Sequence, residues 1–287
     1  MKKTSFFLIL ILIAAFLVRF LGFWVASFYI DEATLLHRAR QVMTGEEIFN
    51  PHFVESGIAY GMIVSYIQAL FMKLVYLFGQ WRYGWDSIND VYLILKLTAR
   101  FVSVLAGTAT VYFTYLTAKK LFNTKVGLFS ALVLAFSFNH VAQSKYALVD
   151  IFISLFLSIA FYFSTVMLMN KKNFLRAYVL GGVFSALAFA VKYNFPVFVP
   201  ILAAHSLSVW RQVGEKKWFF FLNWWRKEII LLPFVSLALF AIVNPYLLIN
   251  PTNYFWQLKT ILTSSWNFPY GAKDLDNIPN IVWYFNY

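Results

Sequence analysis

Between its charged residues the chain holds a succession of uncharged, apolar runs: Phe101 to Ala118, Val126 to Ser144, Ile151 to Asn170, Ala177 to Val191, Tyr193 to Trp210, and a long one starting at Ile229. A helix that crosses the hydrocarbon layer of a bilayer needs roughly 20 such residues. Because lipid offers backbone groups no water to bond, helices are the natural way for runs of this kind to be buried there. The expected fold class is therefore all-α, in a polytopic membrane protein. Composition agrees: 61% of the 287 residues are hydrophobic and 13% are charged, against ~45–50% and ~25% in ordinary globular domains. That excess rules out a single soluble domain, whose surface could not hide it. With no cysteine, disulfides, thiolate metal sites and cysteine nucleophiles are excluded as well.

A further apolar stretch, Phe6 to Ile30, follows Lys2 and Lys3 and is interrupted only by Arg19. It is too long for a signal-peptide core and lacks a small-residue cleavage site, so it reads as an uncleaved first span. That makes seven crossings. An eighth candidate, Tyr60 to Gly79, carries Lys73 and is amphipathic enough to lie in the interface. Charge decides its place. If it does not cross, the loops Lys119 to Lys125, Lys171 to Arg176 and Arg211 to Lys227 share a side with the N-terminus. That side then holds 13 of the 24 cations against two acids, Glu215 and Glu228. A crossing would move those loops outside, against the positive-inside rule. The formal charge of +12 is thus a topology signal and not the footprint of a nucleic-acid partner. The N-terminus is expected to be cytoplasmic, in a plasma or inner membrane. A first loop over residues 29–96 and a tail over 250–287 are expected on the external face. In the loop, Leu35, Leu36, Ala39, Val42 and Met43 recur at helical spacing after Asp31, which predicts a short interfacial helix. One transmembrane domain spanning 1–287 is expected, as a fragment of a longer protein.

Ionisable residues placed against a bilayer are costly and mark function by default. Asp31 and Glu32 follow the first span, where partial burial or a nearby cation tunes a carboxylate for general-base work; an N-cap role for Asp31 is the plainer reading. Asp150 returns to the same external rim, either as a second N-cap or as the partner of Lys145 in a surface ion pair. Lys192 breaks an otherwise continuous apolar stretch. Together with Arg19 and Arg100 it is a candidate clamp for a lipid phosphate, against snorkelling of the two arginines toward headgroups. His37, His52 and His140 all fall on the external side, without the paired spacing of a metal site, and no metal is expected. Trp24, Tyr29, Trp81, Tyr83 and Trp85 read as interfacial anchors or as sugar-stacking faces. Walker A, nucleophile-elbow and dinucleotide signatures do not occur.

Read together, these pieces form a pattern: an apolar span, Asp31-Glu32, an interfacial helix, Asn50-Pro51-His52-Phe53, a second helix ending Leu77-Phe78-Gly79, then Leu97-Thr98-Ala99-Arg100-Phe101-Val102-Ser103-Val104-Leu105. It continues through Ala118-Lys119-Lys120-Leu121-Phe122 and the stretch from His140 to Asp150. The chain resembles the GT-C membrane glycosyltransferases, in the branch of protein O-mannosyltransferases and lipid A aminoarabinose transferases, through residues 6 to 200. The resemblance implies a GT-C-like helical bundle of about seven transmembrane helices with interfacial helices in the first external loop. It also implies Asp31 as catalytic base with Glu32 as its partner. Asp150 matches the family's later external aspartate, and Lys192, with Tyr193 in the same turn, suits the phosphate of a polyprenyl-phosphate sugar donor. His140 opens the stretch that ends at Asp150. The implied acceptor is a hydroxyl on a protein, lipid or glycan of the cell envelope; membrane lipids complete the partners, and no cofactor is required. Two departures stand out. Family members are usually longer, and Arg38 and Arg40 add positive charge near the implied site. The rival expectation from another class is a transporter or flippase, which intramembrane charges and Pro196, Pro200 and Pro233 would also suit.

Overall fold

The computed structural model describes residues 2–26, 30–49, 61–169, 174–213, 224–225 and 227–264. The Asn50 to Phe53 stretch with His52, Tyr29, and the tail beyond Ser264 lie outside them. Every regular element among the described residues is helical. In chain order these are α1 (Lys2–Phe20), α2 (Ile30–Thr44), α3 (Met62–Tyr83), α4 (Tyr92–Leu121), α5 (Thr124–Ala135), α6 (Phe138–Gln143), α7 (Asp150–Met169), α8 (Phe174–Lys192), a 3-10 turn (Phe195–Phe198), α9 (Val199–Val213), α10 (Lys227–Val243), α11 (Tyr246–Ile249) and α12 (Pro251–Ser264). Helices α4, α7, α8 and α3 are long and apolar enough to cross a membrane; α5 and the apolar parts of α1 and α10 are shorter. The protein is a multi-pass helical membrane protein.

The bundle is built around α4, α7 and α8. Helix α7 packs on α4 and α8, α4 also meets α1 and α5, and α8 meets α10. Glycines let two of these contacts close. A β-carbon at Gly182 would stand 2.7 Å from Leu232 of α10, and one at Gly127 would stand 2.9 Å from the Tyr115 carbonyl of α4.

The sequence predicts one continuous span from Val126 to Ser144, but the structure breaks it at Phe136 and Ser137 into α5 and α6. A break inside an apolar segment frees carbonyls that neither water nor the helix satisfies. Arg19 supplies the missing donors. Fully buried, it donates through Nη1 to the carbonyls of Ala15 (2.8 Å) and Ala135 (2.9 Å). Through Nη2 it donates to the Leu134 carbonyl (3.2 Å) and to Nδ1 of His140 (2.8 Å). Gly107 of α4 makes room: a β-carbon there would collide with Ser144 Oγ and stand 3.1 Å from Arg19 Nε. Arg19 is thus buried against carbonyls of its own chain, and His140 is one of its internal partners.

Helices α2 and α3 lie together at one end of the bundle. Leu35 joins Val64, Val102, Val149 and Val191 in one cluster. Leu36, Ala39 and Met43 join Ala69, Met72, Tyr76, Val91, Leu95 and Ala99 in another. The two clusters use adjacent faces of α2, as helical spacing requires. Helix α3 is one of the four helices among the described residues that qualify as spans by length and composition, and it also meets α8. It rests on α2 and the first turns of α4, and a β-carbon at Gly61 would meet Val149 and the Val191 carbonyl.

Replacing Arg19 with Leu should strand the Ala135 carbonyl, at roughly 1–3 kcal/mol for the unpaired group, while the Leu134 carbonyl keeps the Ser137 N–H. Thermal unfolding in detergent is expected to show a clear fall in midpoint; an unchanged midpoint would mean that the break is satisfied without the guanidinium.

Candidate active site

The first turn of α2 carries Asp31 and Glu32 side by side, and the structure gives them opposite environments. Glu32 is 1% exposed. Arg100 of α4, equally buried, grips it through both edges: Nε donates to Oε1 and Nη2 to Oε2, each at 2.6 Å. The Ala147 N–H also donates to Oε1 at 2.9 Å, and Lys96, one turn before Arg100, stands 3.8 Å from Oε2. Arg100 completes its set through Nη1, which donates to the carbonyls of Phe23 (2.8 Å) and Ala26 (3.2 Å). Its guanidinium also lies over the ring of Tyr146. One bidentate pair thus ties the start of α2 to α4, to the chain leaving α1, and to the turn before α7. Such geometry suits Arg and not Lys.

Asp31 is exposed. It begins α2's other face, followed at helical spacing by Leu35, packed with Val149 and Val191, and Arg38, whose charge acts on the Tyr193 hydroxyl. The direction of that face leads to the ends of α7 and α8. There Lys192 Nζ donates to Asp150 Oδ1 at 2.8 Å, both side chains being nearly half exposed. An ion pair so open to solvent contributes little to stability. The expectation that Asp150 pairs with Lys145 is corrected by this geometry, since Lys145 instead donates to the Leu21 carbonyl at 2.8 Å.

Next to Lys192 the backbone of Tyr193 takes φ +50, a left-handed conformation that costs a non-glycine residue roughly 1–2 kcal/mol. The reversal packs its ring at a tilt against Phe189 and edge-on to Phe240 and sets its hydroxyl 2.8 Å from that of Tyr254 in α12 and 3.5 Å from Asn244 Oδ1. Burial raises the Tyr254 phenol above its ordinary range, only partly offset by the bond to Tyr193. It stays a neutral hydroxyl at working pH.

Of the residues expected from sequence, then, Asp31, Asp150, Lys192 and Tyr193 fall on one rim of the bundle, with Asp150 and Lys192 in contact. Arg100 and Glu32 bind each other, and Arg19 and His140 lie along α1 and α6. Sequence reasoning did not assign Lys96, Tyr254 or Asn244. Lys96 had a readable signal in its spacing four residues before Arg100, whereas Tyr254 is 61 residues from its partner and had none. Among the described residues no three metal-ligating side chains gather.

The family described as dolichyl-phosphate-mannose-protein mannosyltransferase matches residues 56–247. The chain belongs to this family. No curated protein and no solved structure matches it. Membership makes the protein a membrane glycosyltransferase and displaces the transporter expectation. The mannosyltransferase match contains Arg100, Asp150, Lys192 and Tyr193 but begins after Asp31 and Glu32. The Arg100–Glu32 pair and the Ala147–Glu32 bond fasten those two acids to the matched region.

Changing Glu32 to Gln keeps the shape of the side chain but leaves Arg100 buried and uncompensated, a loss of about 3–5 kcal/mol when one member of a buried pair is removed. The variant should unfold at lower temperature and extract poorly from membranes. Arg100→Lys should do the same in milder form, and wild-type stability in both would remove the pair from its structural role.

Proposed function

We propose that the protein transfers a sugar from a polyprenyl-phosphate donor, of the dolichyl-phosphate-mannose class, to a hydroxyl acceptor on a protein, at the membrane face that carries Asp31. The observation that carries this reading is the division between neighbouring acids. Glu32 is fully engaged inside, while Asp31 is exposed at the rim it shares with the Asp150–Lys192 pair.

Asp31 accepts the proton of the acceptor hydroxyl as its oxygen attacks the anomeric carbon. The bond from that carbon to the phosphate oxygen breaks, and the electron pair leaves with the lipid phosphate. Lys192 neutralises the charge gathering there, with Asp150 holding its ammonium in place and Tyr193 bordering the site. Placing a cation where negative charge develops stabilises the transition state more than the ground state. A single displacement of this kind inverts the anomeric centre. Residues 1–287 act as one transmembrane domain in this reading, and the chemistry needs no cofactor.

The test is transfer of radiolabelled mannose from polyprenyl phosphate to protein in membranes. Asp31→Asn, at matched expression, should lower turnover about 10²–10⁴-fold, the span of a lost general base. Because Asn is also tolerated at helix starts, the variant should fold. Undiminished transfer would sink the assignment. Lys192→Gln should weaken use of the donor and leave thermal stability nearly unchanged, since its ion pair is open to solvent.

A further inference from the structure

On the side of the rim formed by α1 and α6 the structure holds an open groove of about 290 Å³, lined chiefly by Val25, Ala26, Phe138, Val141, Ala142 and Lys145. It shares no lining residue with the group of Asp31, Asp150, Lys192 and Tyr193. Among the described residues its one charge is the Lys145 ammonium, fixed by its bond to the Leu21 carbonyl at the tight turn where Gly22 takes φ +80. An ammonium has three donors, and that bond uses one. The lips are large and apolar: Val25 is 73% and Phe138 82% exposed. Close by in the chain, Leu17, Leu21, Val133 and Phe136 are exposed on and just beyond α1 and α5, which pack on each other.

A fixed cation in an apolar groove, with further exposed apolar residues on the two neighbouring helices, is complementary to an anionic amphiphile. The volume is too small for a whole lipid and fits a phosphate head with its first carbons. We propose that this groove binds an anionic phospholipid of the surrounding bilayer, its phosphate on Lys145 and its acyl chains against those exposed apolar residues. The bound lipid would brace the chain leaving α1, whose Phe23 and Ala26 carbonyls accept from Arg100. The site therefore supports the frame that holds α2, and its occupancy does not depend on the transferase reading.

The full chain, purified in detergent and returned to nanodiscs with and without phosphatidylglycerol, provides the test. Native mass spectrometry would count retained lipid, and thermal unfolding would follow the protein. Wild type should retain phosphatidylglycerol over phosphatidylcholine and unfold at higher temperature with it. Lys145→Gln should retain about fivefold less, as expected for one cation beside an anionic headgroup, while Lys145→Arg should retain it as wild type does. Ala142→Trp, which fills the groove without touching the charge, should also lose the lipid and serves if Lys145→Gln folds poorly. Undiminished retention in a folded Lys145→Gln or Ala142→Trp variant would overturn the assignment. So would displacement of the phospholipid by added polyprenyl phosphate, which would give the groove to the donor.

Discussion

The pair between Arg100 and Glu32 is the interaction on which the rim of this protein depends. Two buried charges are expensive, and their attraction offsets the loss of water only when geometry is good and remaining donors are filled. Both conditions hold: the two bonds are 2.6 Å, the third arm of the guanidinium serves two carbonyls, and the Ala147 N–H completes the carboxylate. Those bonds draw four separate stretches of chain to one point. Among the described residues, the apolar cluster contacts of α2 begin at Leu35.

Arg19 solves a different problem with the same chemistry. Where the pair at the rim joins elements, Arg19 repairs one, satisfying the carbonyls that the break between α5 and α6 exposes. The break lets α6 turn away from the α5 axis and form one wall of the groove beside Lys145. Both arginines carry charge into an apolar setting, and the bonds they make there are internal. Lys192 and Lys145, by contrast, keep solvent-facing surface at this end.

That contrast explains how much was legible in advance. Periodicity and uncharged runs place α4, α7 and α8 well because hydrophobic length is a property of consecutive residues. Charge asymmetry groups Asp31, Asp150 and Lys192 on one rim before any contact is known, whereas α3 has the length and composition of a span. The internal roles of Arg19 and Arg100 were out of reach. A lone arginine in an apolar run looks the same whether it meets a phosphate or a carbonyl, and the partners lie 116 and 68 positions away. The break at Phe136 and Ser137 was equally hidden, since no proline or glycine stands there and the apolar run continues through it. Asp150 could be matched to Lys145 from sequence distance, but the turn between them points Lys145 back to Leu21, and the lysine 42 positions away takes its place.

Adjacent residues on a helix point about 100° apart, and α2 turns that angle into a division of labour. One face, through Glu32, Leu36, Ala39 and Met43, is bound to α3 and α4. The next face, through Asp31, Leu35 and Arg38, is offered to α7 and α8. A carboxylate that is to take a proton must be held in place without being consumed by the groups that hold it. Placing the anchor one residue further along meets both demands of the proposed mechanism, because rotation of the first turn is fixed by Glu32 while Asp31 stays exposed. Loss of the anchor should therefore impair the exposed acid even where the fold survives, and the two acids are not interchangeable despite their identical charge.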